Sequence, residues 1–577
     1  MEFARLCEAL ERAKENRSRN AKVTLIAAAL REAQRAGADS LRTAVRVSLG
    51  DLARLGVGWR ALLGALAARL GSTNDAATVE AMRRLGDLGD AAEELIARGP
   101  AQPAGNPLDL ADVAELVVGL RADSSRAQRG ARLASFLGRA SAIEAKYLVK
   151  ALGGELRIGA APGVVLLAVA EAFGATTDDV RRAYGVLADL ALVAVLASEK
   201  RLSEARVSAG SPLAFMLATP IETVKTPIDW PRLAAEEKLD GVRAQVHVHG
   251  GVVSIFGRGL ERVTDSFPEV SAAVSGAAGD VVLDGEILAV SADGRARPFQ
   301  ALQMRLNRKA PSAELRALVP VRFVAFDLLV HGDAVLVDEP WEKRRAALDA
   351  FARSLGARAA FALNEAFDVE GPAAVDAAFD RARKNGNEGL VLKRRDAPYD
   401  AGRRGQSWLK VKKATATLDV VVTAAEQGHG KRAGVLSDYT FAVWKADALV
   451  DVGKAYSGLT DPEIDALSRH FTERTIELRG GWRKVAPDTV LEVGFDGIQR
   501  SDRHDGGFAL RFPRILRVRD EKRPDEADTL ETVEALFTAQ VGSGHREEPI
   551  DAPKPARKKR APVPQLSLFN EDPKSRR

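Results

Sequence analysis

Through the first third of the chain, apolar residues recur at three- and four-residue spacing with no strand-like alternation, as around Leu62 to Leu70 and from Asp178 to Leu196. That spacing predicts successive amphipathic helices. Ser72-Thr73-Asn74-Asp75 and Thr177-Asp178-Asp179 read as helix starts, and Gly153-Gly154 and Gly159 as stops. Near residue 206 the pattern changes. Val242, Ala244, Val246 and Val248 alternate with polar residues, and Gly250-Gly251 then leads into Val252 to Phe256, which predicts a hairpin. Asp280 to Val290 and Val321 to Val330 are further strand candidates. Trp341, Arg345, Leu348, Phe351 and Leu355 predict a helix opening at Pro340. After Lys413 come short apolar runs, Leu418 to Ala424, Thr440 to Trp444, Thr489 to Val493 and Ile515 to Val518, set between Gly-rich turns as in a small β-barrel. From about 540 the chain is rich in Pro and charge and poor in core formers, the texture of a disordered tail. The expected organisation is multidomain: an all-α unit over 1–205, an α+β unit over 206–413, a β-barrel over 414–540 and a tail over 541–577.

Length agrees with this division, since 577 residues exceed what one core organises at roughly 100 to 200 residues per domain. The most apolar stretches, GVVLLAVAEAF and ALVAVLA, fall short of the ~20 residues that cross a bilayer. The start, MEFARLCEALERAKENR, lacks the apolar run of a secretory signal. One cysteine, Cys7, can form neither an internal disulfide nor a four-cysteine zinc site. The expected address is cytoplasmic. A net charge of +5 adds modest weight for a polyanionic partner.

Chemistry concentrates in the middle third. Glu236-Glu237-Lys238-Leu239-Asp240-Gly241-Val242-Arg243 places a lysine at a turn before the hairpin, a position suited to a nucleophile. Asp284-Gly285-Glu286 ends one predicted strand and Phe326-Asp327 lies in the next. Glu388-Gly389-Leu390-Val391-Leu392-Lys393 lies in a third, and Trp408-Leu409-Lys410-Val411-Lys412 closes the region. Each tetrapeptide is common when taken singly; the order is what is specific. In that order they resemble the nucleotidyltransferase superfamily of DNA ligases, RNA ligases and capping enzymes. The likeness extends to Arg511-Phe512-Pro513-Arg514 through Arg519-Asp520-Glu521-Lys522, which is similar to the last motif of that superfamily, carried on an OB domain. Upstream, Gly154-Glu155-Leu156-Arg157-Ile158-Gly159 resembles a segment of the helical DNA-binding domain of larger ATP-dependent DNA ligases. The resemblance thus covers about residues 1 to 540.

It implies a helical DNA-binding domain, an adenylation domain and an OB-fold. The implied activity is nick sealing in duplex DNA, in replication, repair or recombination, by way of a lysyl-AMP and a DNA-adenylate. ATP and Mg²⁺ are the implied cofactors, and Lys238 is the implied catalytic residue. Glu236 would read the adenine amino group, Phe326 would stack on the base, and Arg243 and Arg258 would hold ribose and phosphate. Arg404, Lys410 and Lys412 would meet phosphates, while Glu286 and Glu388 supply hard oxygens for the metal. A nucleophilic lysine must lose its proton from an ordinary pKa of ~10.4, and neighbouring cations and burial favour that loss. The chain departs from the family pattern at Gly257-Arg258-Gly259, where Ser-Arg-Asn is usual, and at the acidic pair Asp520-Glu521.

In the tail, Gln565-Leu566-Ser567-Leu568-Phe569 is similar to the pentapeptide by which bacterial repair proteins bind the sliding clamp. Gln565, Leu566, Leu568 and Phe569 would dock there, and the basic run from Lys554 to Arg560 would add attraction to DNA. The protein is accordingly expected to be a nucleoid-associated monomer acting on nicked double-stranded DNA. Two other readings exist: an RNA-repair nucleotidyltransferase, and an inactive DNA-binding scaffold recruited by the clamp. The helical region argues against the first, and the joint presence of Lys238, Glu286, Glu388 and Lys410 against the second.

Overall fold

The computed structural model describes residues 1–542 apart from 56, 73–74, 100–106, 155, 159–161, 292–293, 298, 307, 309, 413–415, 429–431 and 433. The tail over 543–577, with Gln565, Leu566, Leu568 and Phe569, lies outside the described residues, as do Thr73, Asn74, Glu155, Gly159 and Lys413.

Twelve α-helices occur among the described residues from Phe3 to Ser198, and one hydrophobic core runs through them from Phe3 to Ala205. The expected stop at Gly153-Gly154 is real: helix Ala142–Gly153 ends with Gly154 at φ 80°, a left-handed turn that glycine takes without strain. The single helix read from Asp178 to Leu196 is in fact two, Thr177–Leu187 and Leu190–Ser198. Ala188 turns left-handed at φ 49°, and Asp189 then caps the second helix by accepting from the N–H groups of Ala191 and Leu192. An alanine carries no sequence signal for such a break. The first of these helices meets the middle region: the Ala214 N–H donates to the Gly185 carbonyl at 2.9 Å, and Arg403 pairs with Asp178 at 3.3 Å. No helix among the described residues is long and apolar enough to cross a membrane.

The middle region contains two sheets. Its strands are β1 (Leu217–Pro220), β2 (Leu233–Lys238), β3 (Val242–His249), β4 (Val252–Phe256), β5 (Val281–Ala289) and β6 (Val321–His331), followed by β7 (Ala334–Val335), β8 (Phe361–Leu363), β9 (Ala366–Asp368), β10 (Gly389–Arg394) and β11 (Arg404–Val411). The first sheet has the order β1-β11-β10-β2-β9, and the second β4-β3-β5-β6-β7 with β8 beside β6. Gly250 and Gly251, both at positive φ, make the β3–β4 turn that their pairing predicts. The expected helix is Trp341–Leu355, and its Leu348, Phe351 and Leu355 pack on the second sheet. Helix Pro372–Lys384 covers the first sheet through Val375, Ala378, Phe379 and Ala382. Asp284-Gly285-Glu286 does not end a strand as read. It sits inside β5, which is flanked by β3 and β6.

The third region is β-rich. Its strands are β12 (Ala416–Gln427), β13 (Leu436–Lys445), β14 (Ala448–Ala455), β15 (Thr475–Arg479), β16 (Trp482–Val485), β17 (Val490–Phe495), β18 (Gly497–Arg500), β19 (Phe508–Arg511) and β20 (Arg514–Val518). The long β12 pairs with β13 on one side and with β17 and then β16 on the other, so the sheet curls into a half-barrel around its own core.

Candidate active site

Period-two alternation builds the site from both sheets. Along β2, Leu233 and Ala235 join the core beneath helix Pro372–Lys384, while Glu236 and Lys238 line the cleft between the sheets. On β10, Leu390 and Leu392 face that helix and Val391 and Lys393 face the cleft; on β11, Leu409 and Val411 are core and Trp408 and Lys410 line the cleft. From the second sheet come Val242 and Arg243 on β3, Glu286 on β5 and Phe326 on β6. The cavity measures about 630 Å³, within the size range of ligand pockets. Arg258 and Arg404 line it as exposed side chains.

Lys238 ends β2, and three residues later the chain begins β3 in the other sheet. Gly241 lets the chain enter β3 close against β5, because a Cβ on it would lie 2.3 Å from the Ile287 carbonyl oxygen. Antiparallel pairing of β2 with β10 sets Gly389 opposite Lys238 and brings Glu388 alongside. The Lys238 Nζ lies 2.7 Å from Glu388, which also holds Lys412. Burial works against ionisation of Glu388, but Lys238 and Lys412 outweigh it and hold the carboxyl at about 2. Glu286 goes the other way. Burial pushes it up to about 8; Lys238 and Arg243 oppose that rise, and Glu388 and Asp284 add to it. Lys410 is held below the usual lysine range by burial and by Lys412, Arg404 and Lys238.

Two buried ion pairs stiffen the cleft. The Lys393 Nζ donates to Glu236 and to the Phe326 carbonyl, at 2.9 and 3.0 Å, and the Asn364 amide donates to Glu236 at 3.1 Å. Burial moves both charged partners towards neutrality, Glu236 upwards and Lys393 downwards. Arg243 forks onto Asp284 at 2.7 and 3.1 Å, donates to the Met216 carbonyl at 2.6 Å and lies over the rings of Phe215, Phe326 and Trp408. Its guanidinium therefore spends donors inside the wall of the cleft. Asn364, Phe215 and Tyr399, whose hydroxyl donates to Asp284 at 2.7 Å, belong to this shell and carry no sequence motif. Lys393, Trp408 and Asp284 sit within motifs, but their motif letters alone do not show the buried contacts they make.

The loop carrying Arg258 folds around Glu261 where the family has Ser and Asn. The Gly257 N–H donates to the Glu261 carbonyl at 2.9 Å, and the Glu261 carboxylate lies 2.3 and 2.6 Å from where side chains on Gly257 and Gly259 would begin. Glu261 is exposed, so its carboxylate can swing aside and these contacts do not by themselves exclude the two side chains. The third region touches the cleft mouth through Arg511, 3.2 Å from Asp240, and Asp496, 3.3 Å from Lys412.

A lysine at the junction of two sheets, two carboxylates beside it and a cationic strand facing the cleft make an arrangement chemically suited to nucleotidyl transfer. Comparisons with known proteins narrow this. Residues 1–170 match the DNA ligase N terminus, 215–412 the ATP dependent DNA ligase domain, and 432–522 the ATP dependent DNA ligase C terminal region. The chain is 42% identical to a probable DNA ligase of Koribacter versatilis, over 82% of this chain and 85% of that one. It is 35% identical to a DNA ligase of Methanothrix thermoacetophila, over 94% of this chain and 99% of that one. A solved structure named Pmar-Lig_Pre matches in fold, with a TM-score of 0.58 at 18% identity, over 89% of this chain and 99% of that one. The chain belongs to the ATP-dependent DNA ligase family, enzymes that use ATP to form phosphodiester bonds at nicks through adenylate intermediates.

Proposed function

We propose that Lys238 is the residue that becomes adenylylated, with ATP held in the cleft. The carrying observation is the meeting of Lys238, Glu388 and Glu286 at the cavity walled by the polar faces of both sheets. Phe326, half-buried on the cleft wall and edge-on to Trp408 at 5.9 Å, is the platform for the base, with Glu236 and Lys393 behind it. Arg258, Arg404, Lys410 and Lys412 meet the ribose and phosphates, while Arg243 keeps the platform in place.

Glu286 and Glu388 suit Mg²⁺ as hard oxygen donors beside Lys238, and a cation bound there would favour the ionised form of Glu286, which burial pushes up to about 8. Bound there, Mg²⁺ would supply charge to phosphate oxygens during in-line displacement. Lys238 must leave Glu388 and give up a proton to solvent before its amine is free to attack. As it attacks the α-phosphorus, the N–P bond forms, the bond to the β-phosphate breaks, and pyrophosphate departs. AMP next passes to the 5′-phosphate of a nick, and the neighbouring 3′-hydroxyl displaces it to close the strand.

The half-barrel of the third region is read as an OB-fold, with Arg519 and Lys522 of its last motif meeting the departing pyrophosphate. Separate hydrophobic cores support domains over 1–205, 206–413 and 414–540. Incubation with Mg²⁺ and α-labelled ATP should give a covalent adduct that pyrophosphate reverses and that Lys238→Ala lacks. Equal labelling of that variant would remove the assignment, and a choice between nicked DNA and nicked RNA would then test the substrate.

The tail supports a second partner. Gln565, Leu566, Leu568 and Phe569 are a docking peptide for a bacterial sliding clamp by their likeness to the clamp-binding pentapeptide, with Gln565 as polar anchor and Leu568-Phe569 entering an apolar pocket. A purified clamp should retain the full chain and release the Leu568→Ala, Phe569→Ala double variant. Equal retention of the two would exclude the contact.

A further inference from the structure

The residues lining the cleft run from Ala214 to Lys410, so Arg519 and Lys522 are not among them. Both cations instead share one carboxylate, Asp419 of β12, and Arg519 also pairs with Glu521 at 2.7 Å and with Glu492 at 3.7 Å. The Arg519 Nη1 donates to its two oxygens at 2.7 and 2.9 Å, and the Lys522 Nζ donates to Oδ2 at 2.6 Å. Asp419 is well placed to be the fixed partner. Its side chain is 12% exposed, and its backbone pairs with Glu492 in the β12–β17 ladder. Its N–H donates to the Asp528 carboxylate at 2.7 Å, and its carbonyl accepts from the Asp528 N–H at 2.8 Å. Arg519 and Lys522, by contrast, lie beyond the end of β20.

A guanidinium and an ammonium held this close repel each other, and both side chains are rotamer-rich. A carboxylate fixed between them offsets the repulsion and removes much of the freedom they would otherwise lose on meeting a ligand. Neither cation is exhausted by the contact, since a guanidinium carries five donors and an ammonium three. We infer that Asp419 is a positioning residue for the adenylylation step: it presents Arg519 and Lys522 as one preformed cationic pair to the polyphosphate. This rests on the reading of those two cations as pyrophosphate contacts. The competing possibility, that Asp419 blocks the pair by standing in for phosphate, predicts the opposite effect of its removal.

The test compares wild type, Asp419→Asn, Lys522→Ala and the double variant as full-length protein in two single-turnover assays. One follows labelling by ATP; the other follows closure of a nick that already carries the DNA-adenylate. Asp419→Asn should label at least about tenfold more slowly, as expected for misplaced catalytic contacts, and should close the preformed adenylate at the wild-type rate. In the Lys522→Ala background the same substitution should slow labelling much less, because the two act through one contact. Equal loss in both assays would mark a merely structural role and overturn the inference. Faster labelling by Asp419→Asn would also overturn it, as would normal labelling beside a slow Lys522→Ala. Normal labelling by Lys522→Ala would overturn the reading of the last motif and the inference resting on it.

Discussion

His247 shows how much of the cleft region depends on a neutral polar group held away from water. It is buried on β3, its Nδ1 accepting from the Gly210 N–H at 3.1 Å and its Nε2 facing the Gln245 side-chain oxygen at 3.2 Å. Gln245 in turn clamps Leu213 at both N–H and C=O, at 3.1 and 2.7 Å, so the pair fastens the segment that enters the cleft wall. Burial lowers the His247 pKa to about 3. In the unfolded chain the ring takes a proton near 6.5, and in the folded chain only near 3, so its contribution is fully present above pH 6.5 and is lost as pH falls through that window. One such group contributes a slope of up to about 1.4 kcal/mol per pH unit. Denaturant unfolding of the wild type should therefore weaken between pH 6.5 and 4 more steeply than that of His247→Gln, which is itself less stable at neutral pH. Parallel slopes would show that the ring does not control acid sensitivity.

At the scale of elements, alternation explains why the motifs read as they do. In E-G-L-V-L-K and W-L-K-V-K the alternate residues Leu390, Leu392, Leu409 and Val411 are the outer faces of β10 and β11, packed under helix Pro372–Lys384, and Val391, Lys393, Trp408 and Lys410 line the cleft. That much was legible because one strand carries both halves of the information. The position of Asp284-Gly285-Glu286 was not. A carboxylate inside an apolar run reads as a strand end, yet β5 continues because Arg243, 41 residues away, satisfies Asp284. Gly285 fits the same picture: a Cβ there would meet the Phe323 ring at 2.4 Å, so its place is set by packing inside the strand. Glu236 is likewise held by Lys393, 157 residues on, and Asp327 by Arg344 in a fully buried pair. Sequence spacing cannot show such partners, since only the register of the folded sheets brings them together. The helix break at Ala188 was hidden for a different reason, because its left-handed turn uses an alanine where glycine would have announced it.

At the scale of the whole molecule, the third region faces the cleft with one set of residues while the two cations at the end of its last motif pair within the third region itself. Asp496 and Arg511 meet Lys412 and Asp240, whereas Arg519 and Lys522 are gathered on Asp419. Arg519 and Lys522 do not line the cleft in this arrangement, so on the proposed reading of those two cations adenylylation calls for the third region to turn. The contacts holding the present arrangement suit such a turn. Lys412 and Asp496 are 25% and 32% exposed, and partly exposed pairs of this kind contribute roughly 0–1 kcal/mol and weaken with salt. Lys412 is also shared with Glu388, so any group that draws Glu388 away changes the balance at the domain contact as well. Distances between fluorophores on the middle and third regions should lengthen or broaden as salt rises in the wild type. Asp496→Ala should show that distribution already at low ionic strength, with its labelling by ATP retained. Identical, salt-insensitive distances in both proteins would mean that apolar packing, and not these charges, sets the arrangement.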